Sequence, residues 1–276
     1  GWLYQFYISA KKDQVIGKVV KTEDIPAATQ LFTPNWIVKY LVQNSVGRLW
    51  SMANPTSMAK TEWEYYIQPA EQVEDVQNQL NALIQKRIAE DGIQINPESI
   101  TVLDPACGSG HILVEAYDCL KAMYLERGYS SREIPRLILE KNLYGIDIDE
   151  RAAQLASFAL LMKAREDDRR LLRNPPKLNI IALQETGDLD VNRLWADLNL
   201  NQAWKTGHNE DLFGSQTQDL GSAANDARFK CLQDALSKFE HAKTFGSLIC
   251  MDASEKPYAE LKTELEQLLE TGDTLQ

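Results

Sequence analysis

An α/β fold built on a doubly wound parallel sheet is the predicted class, and three observations predict it. Short apolar runs at 100–104, 143–147 and 178–183 alternate with long amphipathic stretches, as in parallel strands joined by crossover helices. The first two runs each end in an acid, at the strand end where such sheets bind ligands. Between the first run and its helix lies the turn 105–110, whose glycines bring bare backbone to that same end.

Each element has its own justification. The first 30 residues, opening GWLYQFYISAKKD, read as a short helix ahead of a charged linker. In TQLFTPNWIVKYLVQNSVGRLW, Thr33 is a good helix cap, and Pro34 suits the first helical position, where a missing N–H costs nothing. Ile37, Val38, Leu41 and Val42 then recur at helical spacing. A loop follows around Asn54-Pro55. A second long helix is predicted over 69–90, with Val73, Val76, Leu80, Leu83, Ile84 and Ile88 as its buried stripe and Asp91-Gly92 as its stop. After the first strand, 110–127 reads as an amphipathic helix and 131–141 as a further helix. After the second strand, helix runs from 150 to 168, and a Pro-Pro turn introduces the third strand. Past Asp190 the strands cease. Residues 191–276 read as helical, with a polar Gly/Ser-containing stretch near 207–225. Three regions result: 1–99 helical, 100–190 carrying the sheet, and 191–276 helical.

Composition narrows the function. With 44% hydrophobic and 25% charged residues over 276 positions, the chain can bury a proper core. No apolar run is long enough to cross a bilayer and no basic-then-apolar leader is present, so membrane and secretion readings drop out. Four scattered cysteines, with no C-x-x-C pair and no histidine cluster beside them, argue against structural zinc and for reduced thiols in a cytoplasmic protein. A protein that grips a phosphate backbone by itself usually carries a basic face. The net charge here is −11, so any hold on nucleic acid is local or lies in another part of a longer protein. Gly1 in place of Met also suggests a trimmed, processed or partial chain.

The turn DPACGSG selects its ligand. A dinucleotide fold wants G-x-G-x-x-G, but after Gly108-Ser109-Gly110 the third glycine's place holds Leu113. An acid directly before the turn, Asp104, sits poorly beside a pyrophosphate. A P-loop is excluded because no Gly-Lys-Ser/Thr ending follows. A cationic ligand without phosphate fits better, and S-adenosylmethionine is one. The second strand agrees: in YGIDIDERA, Asp147 is placed to reach ribose hydroxyls, Ile148 to lie against adenine, and Asp149 to cap the next helix. Cys107 reads as a small loop filler and His111 as a first-turn helix residue.

These strings together resemble a known family. QLFTP (30–34), DPACGSG (104–110) and GIDID (145–149), in this order, resemble the adenine-specific, amino-group DNA methyltransferases of the gamma-type arrangement. The likeness is strongest to the large methyltransferases of BREX-type phage-defence systems, often called PglX, and to related restriction–modification enzymes. It covers about 1–190 and the stretch AKTFGSLI (242–249). The resemblance implies a partial Rossmann-like methyltransferase core with extra N- and C-terminal helices, S-adenosylmethionine as cofactor, DNA as substrate, and other restriction or phage-defence subunits as partners. It implies that Phe32, Thr33 and Pro34 close over the methionine end of the cofactor. Asp104 and the backbone of Pro105, Ala106, Cys107, Gly108 and Gly110 would hold its amino-acid portion, and Asp147 its ribose. Leu183 and Gln184 are nearest the position that recognises its adenine, where the family often has an acid that is missing here.

The family's catalytic motif, (Asp/Asn/Ser)-Pro-Pro-(Tyr/Phe) after the fourth strand, is not found. Asn174-Pro175-Pro176 is followed by Lys177 rather than an aromatic residue and precedes the third strand, so it reads as a turn and no catalytic residue is assigned. The expectation is the cofactor-binding part of a longer enzyme, inactive alone, with 191–276 as a helical insertion before the absent strand. Three rivals stay open: a methyltransferase of protein, RNA or small molecules, a nicotinamide oxidoreductase, and a non-catalytic assembly module.

Overall fold

The computed structural model describes residues 2–15, 17–21, 24–29, 31–91, 95–198, 226–251 and 256–271. The chain divides into two compact units, residues 1–183 and 184–276.

In the first unit, helices α1 (Trp2–Val15), α2 (Ile25–Thr29), α3 (Asn35–Ala53) and α4 (Glu74–Asp91) precede strand β1 (Val102–Asp104). Helix α5 (His111–Glu126) follows, then a short α6 (Ile134–Leu137) that runs into a π-turn (Ile138–Asn142), strand β2 (Leu143–Asp147), helix α7 (Glu150–Asp167) and strand β3 (Asn179–Ala182). The strands are parallel in the order β1-β2-β3, with Leu103 opposite Tyr144, Asp104 opposite Gly145, and Ile146 opposite Ile181. The predicted alternation of strand and helix is therefore what forms.

Helix α5 repeats apolar residues on one face, and Leu113, Tyr117, Leu120, Met123 and Tyr124 are all buried. They join Val42 and Trp50 of α3 and Ala156, Leu160 and Ala164 of α7 in one core. Trp50 is fully buried, and its indole N–H reaches Glu126 Oε2 at 2.7 Å, which also accepts from Ser57 Oγ at 2.7 Å. The N-terminal helices thus share the core on which the sheet is built. At the foot of β2, the fully buried Asn142 donates to the carbonyls of Pro97 and Ile100, each at 2.7 Å, and accepts from the Tyr124 hydroxyl at 2.9 Å. The two bonds to Pro97 and Ile100 join segments on either side of β1.

Three local expectations change. The start of α3 lies one residue later than predicted: Pro34 is the N-cap, with ψ 142, and no side chain caps the helix. The chain stays extended there because Phe32 is held against Ile8 and Ala152. The stripe predicted on α4 is covered only in part, with Leu80, Ile84 and Ile88 half-buried. No residue of that helix is buried, and Val73, Val76 and Leu83 are 71, 40 and 65% exposed. Helix α4 is tied down only near its end, by Ile88 against the core and by Arg87 Nη2 donating to the Ser99 carbonyl at 3.0 Å. Periodicity shows which side of a helix is apolar, not whether anything covers it. The helix predicted over 131–141 is instead the α6 turn plus the wide π-turn, which ends on the buried Asn142.

The second unit is helical where described: α8 (Val191–Leu198), α9 (Ala227–Phe239), α10 (Ala242–Phe245) and α11 (Lys256–Thr271). Trp195, Leu198, Phe229, Cys231, Leu232 and Leu261 form its core, with Trp195 edge-on to Phe229 at 5.3 Å. Arg228 ties Asp226 to Glu264 beside it. The polar stretch near 207–225 lies outside the described residues. Among the described residues no helix is long and apolar enough to cross a membrane.

Candidate functional site

Asp104 and Asp147 are the last residues of adjacent parallel strands. Both are buried, at 8 and 9% exposure, and the turn 105–110 lies between them. Asp104 Oδ1 accepts the Ala106 N–H at 3.2 Å. Asp147 Oδ2 accepts the Gly108 N–H at 2.7 Å, and its Oδ1 accepts the Asp149 N–H at 2.8 Å. The Cys107 N–H donates to the Ile146 carbonyl at 2.9 Å, and the Leu183 N–H to the Asp147 carbonyl at 2.8 Å. The tip of β2 is thereby pinned from both sides, by the β1 turn and by the residue following β3.

Two glycines make this close approach feasible. Gly110 has φ +82, and a Cβ there would stand 3.1 Å from the Cα and Cβ of Ala156 on α7. At Gly145, in the middle of β2, a Cβ would meet Ile180 Cδ1 at 2.8 Å, Leu113 Cδ1 at 3.0 Å and Cys107 Sγ at 3.1 Å. The turn therefore lies down on the strand rather than arching over it.

The electrostatics follow from burying two like charges together. Burial raises the Asp104 carboxyl above its ordinary value, the Ala106 N–H offsets part of that rise, and the Asp147 charge adds to it. Burial, then the charges of Asp147 and Asp104, push the Cys107 thiol up to about 12. It is a packed, protonated side chain and not a nucleophile. Such a site gains from a positive charge placed between the acids.

The other expected residues gather at the same end of the sheet. Phe32 packs against Ala152 in the first turn of α7, three residues beyond Asp149. Thr33 is half-buried and Pro34 exposed. Ile148 is half-buried between Asp147 and Asp149, and Asp149 caps α7 by accepting the Arg151 N–H at 3.0 Å. Pro105 and Ala106 are exposed, whereas Gly108 and Gly110 are buried. Leu183 is half-buried beside Asp147, and Gln184 is the exposed first residue of the second unit. Asn174-Pro175-Pro176 stands before the amino end of β3, the opposite end from the two acids.

Two residues went unremarked in the sequence. Ser109 is 7% exposed, and its hydroxyl has no hydrogen-bond partner among the described residues. A serine between glycines reads as a spacer, and no residue pattern distinguishes it. Gly145 was signalled, since a glycine inside a β-run marks a close approach of backbone or side chain.

Residues 71–198 match the family described as MmeI, DNA-methyltransferase domain. The chain is 57% identical over 269 residues to the adenine-specific methyltransferase BrxX of Escherichia coli O9:H4 (strain HS), covering 97% of this chain and 21% of that protein. It is 37% identical over 264 residues to the adenine-specific methyltransferase PglX of Lacticaseibacillus casei (strain Zhang), covering 92% of this chain and 19% of that protein. The chain thus spans about a fifth of the length of the curated relatives it matches. The resemblance first seen in the FTP, DPACGSG and GIDID strings extends along nearly the whole chain: this chain is related to the adenine-specific methyltransferases BrxX and PglX.

Proposed function

We propose that the chain is the S-adenosylmethionine-binding part of a longer site-specific DNA methyltransferase that modifies the exocyclic amine of adenine, in restriction–modification or phage defence. One observation carries the reading: two buried carboxylates at neighbouring strand tips bracket a glycine turn whose backbone they also hold. The donor set fits this cofactor. It offers acids for an ammonium and a sulfonium, and it has no basic side chain in 104–110 for a phosphate. Bound there, S-adenosylmethionine supplies an electrophilic methyl group.

The chain's own residues bind and orient. Asp147 takes the ribose hydroxyls, while Asp104 and the backbone of Pro105, Ala106, Cys107, Gly108 and Gly110 take the amino-acid end. Ile148, Leu183 and Gln184 flank the adenine, and Phe32, Thr33 and Pro34 close the methionine end. The architecture this reading requires is a partial, doubly wound Rossmann-like core over 100–190. The helices of 1–99 lie before it, and 191–276 is an insertion. The catalytic Pro-Pro motif, base flipping and most contacts to DNA belong to segments outside this chain, in keeping with its net charge of −11.

Calorimetric titration of the chain with S-adenosylmethionine and with S-adenosylhomocysteine tests the reading, and saturable heat is expected from both. No heat from either overturns it. Transfer of labelled methyl groups to DNA by this chain alone is expected to be absent, and its presence would overturn the assignment of catalysis to other segments.

A further inference from the structure

Trp36 is set apart from Trp50, Trp63 and Trp195. Trp50 and Trp195 are buried in the two cores, and Trp63 lies against Gly47 and Tyr66. Trp36 is 56% exposed. Tyr40, one turn on and therefore on the same side of α3, is 41% exposed. Among the described residues neither ring has an aromatic or hydrogen-bonding partner. Two bare aromatic side chains in a row leave in water apolar area that folding otherwise buries.

The pair stands at the ligand end of the sheet. Helix α3 packs along α5, and the two run the same way. Trp50, near the end of α3, reaches Glu126 at the end of α5. Near their starts, burial raises the Glu115 carboxyl of α5, and the charge of Lys39 on α3 offsets part of that rise. The first turns of α3 therefore lie beside the first turns of α5, which leaves the glycine turn directly. Phe32, just before α3, packs on Ala152 in the first turn of α7 at that same end. The local charge also differs from that of the whole chain. Residues 25–61 hold no Asp or Glu but three bases, Lys39, Arg48 and Lys60, in a protein of net charge −11. Lys39 pairs with the exposed Glu64 at 3.9 Å, a surface contact that contributes little.

Chemistry selects the occupant. Exposed aromatic rings in a stretch free of acids suit unpaired nucleobases, which stack on them whatever the sequence, while the phosphates pass a surface that does not repel them. An enzyme that methylates the amine of adenine creates such bases. The target must leave the stack, and its neighbours lose a stacking partner. We propose that Trp36 and Tyr40 form a stacking platform for unpaired bases of the DNA strand that carries the target adenine. A paired duplex presents base edges and phosphates rather than ring faces, so it gains little from such a platform. The inference rests on reading the chain as part of a DNA methyltransferase.

Fluorescence anisotropy of a labelled single strand of about twelve nucleotides, titrated with the chain at low salt, tests it. The same sequence as a duplex, and a strand of abasic sites with the same phosphates, supply the comparison. The intact single strand is expected to bind more tightly than either. The double variant Trp36→Ala with Tyr40→Ala is expected to bind the intact strand roughly tenfold more weakly and the abasic strand as the parent does. Trp36→Phe keeps a ring and should stay close to the parent. Both variants should melt with the parent, since both side chains are exposed. Absence of saturable binding to the single strand overturns the proposal, as does parent binding that ignores the loss of the bases. A folded double variant that binds the intact strand like the parent overturns it too. A dimer of the chain that the double variant disperses assigns the face to a second copy and also overturns it. Calorimetry with S-adenosylmethionine on the same samples separates the two readings. Strand binding without cofactor heat fails the cofactor assignment alone, and cofactor heat without strand binding fails the platform alone.

Discussion

Asp147 accepts the Gly108 N–H at 2.7 Å through one carboxylate oxygen and the Asp149 N–H at 2.8 Å through the other. One side chain thus joins the glycine turn after β1 to the N-cap residue of α7. Each oxygen keeps a further lone pair, so Asp147 can hold the turn and accept ligand hydroxyls at the same time. Asp147→Ala is expected to weaken S-adenosylmethionine binding at least tenfold, roughly 1.4 kcal/mol, and to speed exchange over 106–110 without ligand. Asp147→Asn is expected to fall between, because its amide nitrogen must face one of the two N–H groups. Unchanged calorimetric affinity in both variants would remove Asp147 from the site.

Asp104 carries the opposite kind of strain. Its folded value is raised, by burial first and by Asp147. As pH rises past the unfolded carboxylate value, about 3.9, the unfolded chain ionises first and stability is lost until the folded group also ionises. Asp104→Asn keeps an oxygen for the Ala106 N–H and cannot ionise. It is expected to melt higher than the parent at pH 7 and to converge with it near pH 3. Bound S-adenosylmethionine reverses the order, since a cation favours the charged acid, so the parent should gain more melting temperature from cofactor than the variant. A variant that melts lower at pH 7 contradicts this assignment.

Much of this arrangement was legible in the residues. The strand tips, the glycine turn and the α7 cap are short-range features, fixed by acids, glycines and apolar runs that act within a few positions of each other. What escaped depends on distant partners. The predicted α4 stripe has helical period, yet Val73, Val76 and Leu83 are exposed and Leu80, Ile84 and Ile88 only half-buried. Pro34 caps α3 rather than opening it because Phe32 is held by Ile8 and Ala152. Ser109 is buried by its neighbours in space, which no local pattern reports.

Gly110 and Gly128 separate two costs that are usually confounded. Both have positive φ, +82 and +79, but only Gly110 would place a Cβ 3.1 Å from another helix, at Ala156. Gly128→Ala bears the left-handed backbone penalty alone, about 1 kcal/mol. Gly110→Ala adds overpacking against α7, typically 1–3 kcal/mol. Urea unfolding should therefore find Gly110→Ala the more destabilised by at least about 1 kcal/mol. Equal losses would mean that α7 yields to the new methyl group.

Asn142 offers the sharpest test of what holds β1 in place. Its amide donates to the Pro97 and Ile100 carbonyls and its oxygen accepts from Tyr124, all without solvent exposure. Asn142→Ala removes this partner from the Ile100 carbonyl and the Tyr124 hydroxyl, while the Pro97 carbonyl keeps the Ile100 N–H at 3.3 Å, at about 1–3 kcal/mol for each group that relaxation cannot rescue. A loss of about 3 kcal/mol in urea unfolding is expected, with the sheet end of the first unit affected most. Asn142→Asp keeps the acceptor for Tyr124 but replaces the donor with a second oxygen facing two carbonyls. Buried and ionised, it should be worse than alanine at pH 7. Protonation restores one donor, so its deficit relative to alanine should shrink as pH falls toward 5. If the aspartate variant showed no such recovery, the two carbonyls would have found other partners, and the tie across β1 would not depend on Asn142.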